Sequence, residues 1–342
     1  MRKPEGFGYR WTRPVLVLFL IGTLILLLFY IDEPLRRHFG GVKPGVTLLN
    51  VPLEGLFRFE VAAIVAELAR AEGRKPLNAQ LDEEREAIVP ELNGLEIDQE
   101  ATADLVFNAS REVALKPVYR EIYPDLRWEH YPSRPAYRGN SRKQAVALMI
   151  NVAWGEEYLP DMLSVLEKEE SLGTFFLTGK WAEKNEGLVQ SIAHGGHELA
   201  NHGYSDAEVF PELDGWAMAQ SIRRTNEIIF ETTGSYPLYF TPHRGEKNNL
   251  TLELVSRHGM RTVLWSLDTV DWKKPGVQAM KNKIMNHVEP GMIILMHPTA
   301  DTVTLLEEII PMLREQNLKI VTIRELLCPS WPIYQIAKGN VQ

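Results

Sequence analysis

Cysteine is almost missing from this chain of 342 residues: Cys328 stands alone. That excludes an intramolecular disulfide and any zinc site built on cysteine. It leaves the compartment open, because exported proteins also do without cysteine. An excess of positive charge is missing too. Lys and Arg number 37 against 45 Asp and Glu, a formal net charge of -8. A general nucleic-acid binder needs a basic field, so that class is excluded. Charged residues are 24% of the chain and hydrophobic ones 45%, which excludes a largely disordered chain. At roughly 150 residues per domain, the length asks for about two domains.

What is present begins with one long uncharged run, Pro14 to Ile31, between Arg13 and Asp32. As a helix it would span about 27 Å, near the ~30 Å hydrocarbon thickness of a bilayer. Phe29 and Tyr30 at its end suit an interface. The run is too long for a signal-peptide core and ends Phe-Tyr-Ile-Asp-Glu-Pro, without the small residues of a cleavage site. It reads as an uncleaved transmembrane anchor over 14–31, in preference to a cleaved signal or a buried core helix. Arg2, Lys3, Arg10 and Arg13 precede it; Arg36, Arg37 and Lys43 follow. That slight excess puts residues 1–13 in the cytoplasm. The expected localisation is the cell membrane, single-pass, with the C-terminal domains extracytoplasmic.

Residues 44–125 read as a small α+β domain. Gly45–Leu53 is apolar and β-prone, and Val61, Ile64, Val65 and Leu68 recur at helical spacing. Leu77–Leu81 and Ala87–Val89 look like a strand pair, and Asp98 could cap a second helix. The segment holds no histidine and no metal-ligand spacing. GVTLLNVPLEGL, a helix, then IVPELNGLEID resembles the peptidoglycan-binding-like domain found beside envelope domains of Gram-positive bacteria; a stalk that binds nothing is the alternative. Residues 126–143, rich in Pro, Arg and Tyr, form an irregular linker.

From 144 to 328 short apolar segments alternate with helical ones. The strands expected are Ala145–Val152, Thr174–Thr178, His197–Ala200, Leu238–Thr241, Arg261–Trp265, Met292–His297 and Lys319–Thr322. That rhythm predicts a parallel sheet, open or closed into a barrel. Chemistry then belongs at the carboxyl ends of the strands. There stand Asn151-Val152-Ala153-Trp154-Gly155, Asn201-His202-Gly203-Tyr204-Ser205-Asp206, Thr241-Pro242-His243-Arg244, Trp265-Ser266-Leu267-Asp268-Thr269-Val270-Asp271-Trp272 and His297. Three ends carry His and two carry Asp, a convergent polar site that points to hydrolysis or a metal. Residues 329–342 are a tail.

GTFFLTGKWAEKN, GHELANHGYS, WSLDTVDW and GMIILMH, in that order, resemble the polysaccharide deacetylases of the NodB-homology type, carbohydrate esterase family 4. The resemblance runs from Ala145 to Leu327. It implies an α/β fold, a distorted (β/α)7 barrel. It implies metal-assisted removal of acetyl groups from cell-wall glycan, with a divalent metal, zinc or similar, as cofactor if the site works. One Asp would be the base. A second Asp and two His would bind the metal. A late His, tuned by an Asp, would be the general acid.

Carried over by position, that site is damaged. The first motif should read Thr-Phe-Asp-Asp-Gly. Here the base position is Ala153, which accepts no proton, and the metal-carboxylate position is Trp154, which binds no cation. The first metal His is His202; the second position, four residues on, is Asp206. The Arg that steadies the base is replaced by Thr241. Asp271 and His297 remain. The expected substrate-binding residues are Trp272, Leu295, Arg244 and Tyr204. The losses agree with one another, because an Arg aimed at a vanished carboxylate would be a buried unpaired charge. Trp154 is expected to fill part of the vacated metal pocket.

Three readings follow. The barrel is an inactive or impaired deacetylase-like pseudoenzyme that binds peptidoglycan in the old cleft. Or it is an active N-/O-deacetylase with a rearranged site, His202, Asp206 and His243 holding the metal and Glu156 or Glu157 as base. Or it is an envelope scaffold. Degenerate relatives with this domain pair resemble envelope proteins of endospore-forming bacteria, which implies a sporulation setting.

Overall fold

The computed structural model describes residues 12–331. They form two compact units. One runs up to Arg74 and resumes over Leu95–Ile122; the other holds Lys75–Gly94 and the chain from Tyr123 on. The expected small domain over 44–125 is therefore interrupted, because residues 75–94 belong to the second unit.

In the first unit the helix Arg58–Glu72 forms on the expected periodicity and buries Val61 and Val65. Glu60 accepts the Phe57 N–H at its start (2.8 Å). The helix Gln99–Asn108 begins at Asp98, whose carboxylate accepts the Ala101 N–H (2.9 Å), as an N-cap does. Thr47–Leu48 pairs antiparallel with Val51–Pro52 and parallel with Ala114–Leu115.

The helix Thr12–Gly40 covers the segment expected to be an anchor; side chains of 14–16 and 25–31 lie outside the description. The transmembrane reading, and the cell-membrane localisation with it, is corrected. Among the described residues no helix is long and apolar enough to cross a membrane. The helix continues beyond its apolar run through Asp32, Glu33, Arg36 and Arg37. Arg37 pairs with Glu33 one turn back and with Glu60 of the next helix, and such charged contacts suit water, not lipid. Residues 1–11, expected in the cytoplasm, and 332–342 of the tail lie outside the described residues.

In the second unit Ala145–Val152 is the central strand, and all of it is buried, as a parallel strand covered on both faces should be. Thr174–Leu177 pairs on one side and Ile293–Met296 on the other, both parallel. Beyond the first lie Glu198–Asn201, Tyr239–Phe240 and Arg261–Thr262; beyond the second lies Leu267–Asp268. Lys319–Val321 pairs with the first half of the central strand. This parallel α/β half-barrel fits the expected (β/α)7 fold. The expected strand Arg261–Trp265 is cut short, because the chain leaves one edge at Thr262 and joins the other at Leu267. Ala136 bridges to Val263 and Arg138 to Met292, so the irregular connection is built into the barrel.

Side-chain alternation sorts the central strand. Ala145, Ala147 and Met149 join Phe176, Ala200 and Leu295 in an inner cluster. Val146, Leu148, Ile150 and Val152 pack against the surrounding helices, with Leu159, Leu166, Leu305 and Ile309. Ala79, Ile88 and Trp128 complete the inner cluster; Ile88 lies on the hairpin Gln80–Asp82/Ala87–Val89. A period of two then sends Asn151, beyond Met149, inward as well.

Candidate functional site

The carboxyl ends of the strands surround a cavity of about 480 Å³. Ala153, Trp154, His202, Asp206, His243, Arg244, Trp272, Leu295 and His297 all line it. A larger hollow of about 670 Å³, lined by Leu172, Gly195 and His197, sits at the amino ends of the strands and holds none of these residues. Asp271 and Tyr204 do not line the cavity. Asp271 lies behind His297. Tyr204 turns to the outer helices, where its hydroxyl donates to Glu183 (3.0 Å) and Arg224 covers its ring at 3.9 Å.

The acid half of the expected machinery is fully assembled. Asp271 is 1% exposed. Its Oδ1 accepts from His297 Nδ1 (2.8 Å) and from the Trp272 N–H (2.8 Å). Its Oδ2 accepts from the His297 N–H (2.6 Å) and from Thr302 Oγ1 (2.9 Å). A carboxylate with this many donors fixes both the tautomer and the direction of the imidazole.

The opposite half is different. His202 is buried, with Nδ1 2.7 Å from the Thr241 carbonyl. A carbonyl only accepts, so Nδ1 carries the hydrogen and Nε2 has the lone pair. The His243 ring lies 3.9 Å from that of His202, centre to centre, tilted by 43°. Burial pushes His202 well below the usual histidine range, and the neighbouring His243 adds to this. Burial likewise lowers His243 to about 4, against the pull of Asp206. Both rings are therefore neutral near pH 7. Asn151 Oδ1, Thr241 Oγ1 and His243 Nε2 are buried without a hydrogen-bond partner.

These residues do not fit a divalent metal. Among the described residues no group of three or more His, Cys, Asp or Glu could hold one. His202 and His243 do meet, but Asp206 is exposed on its loop, and the carboxylate position is an indole. The rearranged His202–Asp206–His243 centre is thus not assembled. Glu156 and Glu157, considered as its base, are absent from the lining, and Glu156 accepts from Trp181 Nε1 instead (3.4 Å).

Trp154 does not fill the vacated space as expected. It is 41% exposed and lies parallel to the His297 ring, 5.7 Å away at 8°. The reason lies in the backbone beside it. Gly155 has φ +83, and a Cβ there would lie 2.2 Å from the Pro298 carbonyl oxygen. The turn after the central strand is thus pressed against the turn after Met296, which brings the indole alongside the His297 ring. Trp272 is 53% exposed, with Lys273 Nζ 4.7 Å from its ring centre. Asn151, Trp265 and Asp268 also line the cavity. Sequence reading did not assign them, although each stands at a strand end. Thr302, from the helix Ala300–Glu315, gives no such signal.

Comparison with known proteins agrees with this geometry. The profile of the family described as polysaccharide deacetylase matches residues 138–263. The YlxY protein of Bacillus subtilis is 34% identical over 253 residues, 74% of this chain and 79% of that one. A peptidoglycan-N-acetylglucosamine deacetylase of Bacillus cereus is 31% identical over 218 residues, 62% of this chain and 78% of its own. The crystal structure of a CE4 family pseudoenzyme from Bacillus anthracis superposes with a TM-score of 0.68 at 30% identity, over 79% of this chain and 96% of that one. A mutant CE4 pseudoenzyme described as having restored enzymatic activity superposes at 0.69 and 29% identity, over 79% and 99%.

Proposed function

This chain belongs to the polysaccharide deacetylase family, and we propose that it holds cell-wall glycan in that family's cleft without hydrolysing it. One observation carries the reading: the position of the general base is Ala153. Hydrolysis of an acetamide needs a group that takes a proton from the attacking water, and a methyl group takes none. The other residues of the site agree. No three-ligand cation site exists among the described residues, so nothing polarises the carbonyl. The Asp271–His297 pair could still donate a proton, but it faces no activated water. The cavity remains open, with aromatic and polar walls, as ligand sites have. The wall glycan is named because the similar Bacillus cereus protein is a peptidoglycan deacetylase.

The test is an acetate-release assay with zinc or cobalt against N-acetylglucosamine oligomers and peptidoglycan, beside a calorimetric titration with the same glycans. Binding without acetate release is expected. Metal-dependent release above background would overturn the reading. Catalytic groups act as a unit. Ala153→Asp alone should therefore yield nothing, whereas Ala153→Asp, Trp154→Asp, Asp206→His and Thr241→Arg together should yield metal-dependent turnover.

A further inference from the structure

We propose that the exposed face of Trp154 is a stacking platform for a hexopyranose ring of an N-acetylated glycan, buttressed from the side by His297. The proposal rests on the reading above and names the residue that does the holding.

A tryptophan that had only displaced a carboxylate would be most stable turned into the space left behind. This one is 41% exposed at a cavity mouth. It runs parallel to the His297 ring, displaced sideways with centres 5.7 Å apart, and its exposed face is the one open to a ligand. The indole's surroundings are also held in place. Gly155 presses its turn against the Pro298 carbonyl. His297 is fixed by Asp271, and Asp271 by Thr302 and two backbone N–H groups. A surface that is already rigid loses little conformational freedom when a ligand arrives.

The rest of the cavity suits a sugar. The C–H face of a pyranose is apolar and flat enough to lie on an indole, while its edge carries hydroxyl and amide hydrogens. Asp206, Arg244 and Asp268, polar side chains that line the same cavity, can pair with such an edge. Trp272, half-exposed on the same cavity, offers a second aromatic wall. In this arrangement His297 no longer needs to give a proton. It supports the ring that binds, which accounts for an intact Asp271–His297–Thr302 network in a site whose base is gone.

The experiment compares wild type, Trp154→Ala, Trp154→Phe and Trp154→Asp in calorimetric titrations with N-acetylglucosamine hexamer, each variant first shown by its melting curve to be folded. Trp154→Ala should weaken binding by about tenfold or more, as removal of a central aromatic anchor does. Trp154→Phe should keep most of the affinity. Trp154→Asp, which returns the family's own residue, should bind as poorly as the alanine variant. Equal affinity of wild type and the alanine variant would overturn the platform and leave the glycan reading standing. No binding by wild type would overturn both.

Discussion

Gly155 shows how much one hydrogen atom can decide. Its φ of +83 and the carbonyl 2.2 Å from where a Cβ would stand leave no room for alanine. Gly155→Ala should cost about 2 kcal/mol or more, read as a shift in denaturant midpoint, and glycan affinity should fall with it as the indole loses its seat. Asp271 is the other residue on which the site turns. Asp271→Ala should cost about 3 kcal/mol, because it strips His297 and Thr302 of a buried charged partner. Thr302→Val should cost only about 1 kcal/mol, since the other donors remain. Such side chains differ in how visible they are in sequence. Ala153, His202 and His297 could be placed by motif order. The outward turn of Trp154 could not, because it depends on a backbone contact between segments more than a hundred residues apart.

Lys143 illustrates what a helix requires of its neighbours. It is 1% exposed, and its Nζ donates to the carbonyls of Glu325 (2.7 Å) and Cys328, at the end of the short helix Ile323–Leu327. Burial lowers its pKa to about 8. Lysine near a helix C-terminus satisfies carbonyls that have no partner within the helix. Lys143→Met keeps the volume and removes the donor, so it should lower stability by about 2 kcal/mol, measured by chemical denaturation. Elements whose pattern is local were legible in sequence: the unbroken apolar run Ala145–Val152 and the helix Arg58–Glu72 appear where their patterns put them. The helical stretch after Thr174–Leu177 is split in two, Gly179–Lys184 and Glu186–His194, meeting at Asn185. A non-helical junction residue of that kind leaves little trace in periodicity.

Acid sensitivity belongs to the molecule as a whole. His197 and His243 are lowered to about 4, chiefly by burial, and burial also holds His202 well below the usual histidine range. In the unfolded chain these imidazoles titrate near 6.5. Between those values the unfolded chain takes up protons that the folded one refuses. Their contribution to stability is therefore complete above pH 6.5 and is lost as pH falls toward 4. Melting temperature should drop steeply from pH 7 to pH 4.5, and His197→Gln should make that slope shallower; a flat profile for wild type would contradict these assignments.

The excursion of residues 75–94 into the second unit also sets an order of events during synthesis. When the ribosome has made residue 94, the first unit still lacks Leu95–Ile122, and the hairpin carrying Ile88 has no inner cluster to join. The first unit can close once residue 122 has emerged. The hairpin must wait for strands that extend to Val321. N-terminal domains ordinarily finish first as they leave the ribosome. Here a piece from the early part of the chain is among the last to be docked, and a chain started at Tyr123 would reach that stage without it.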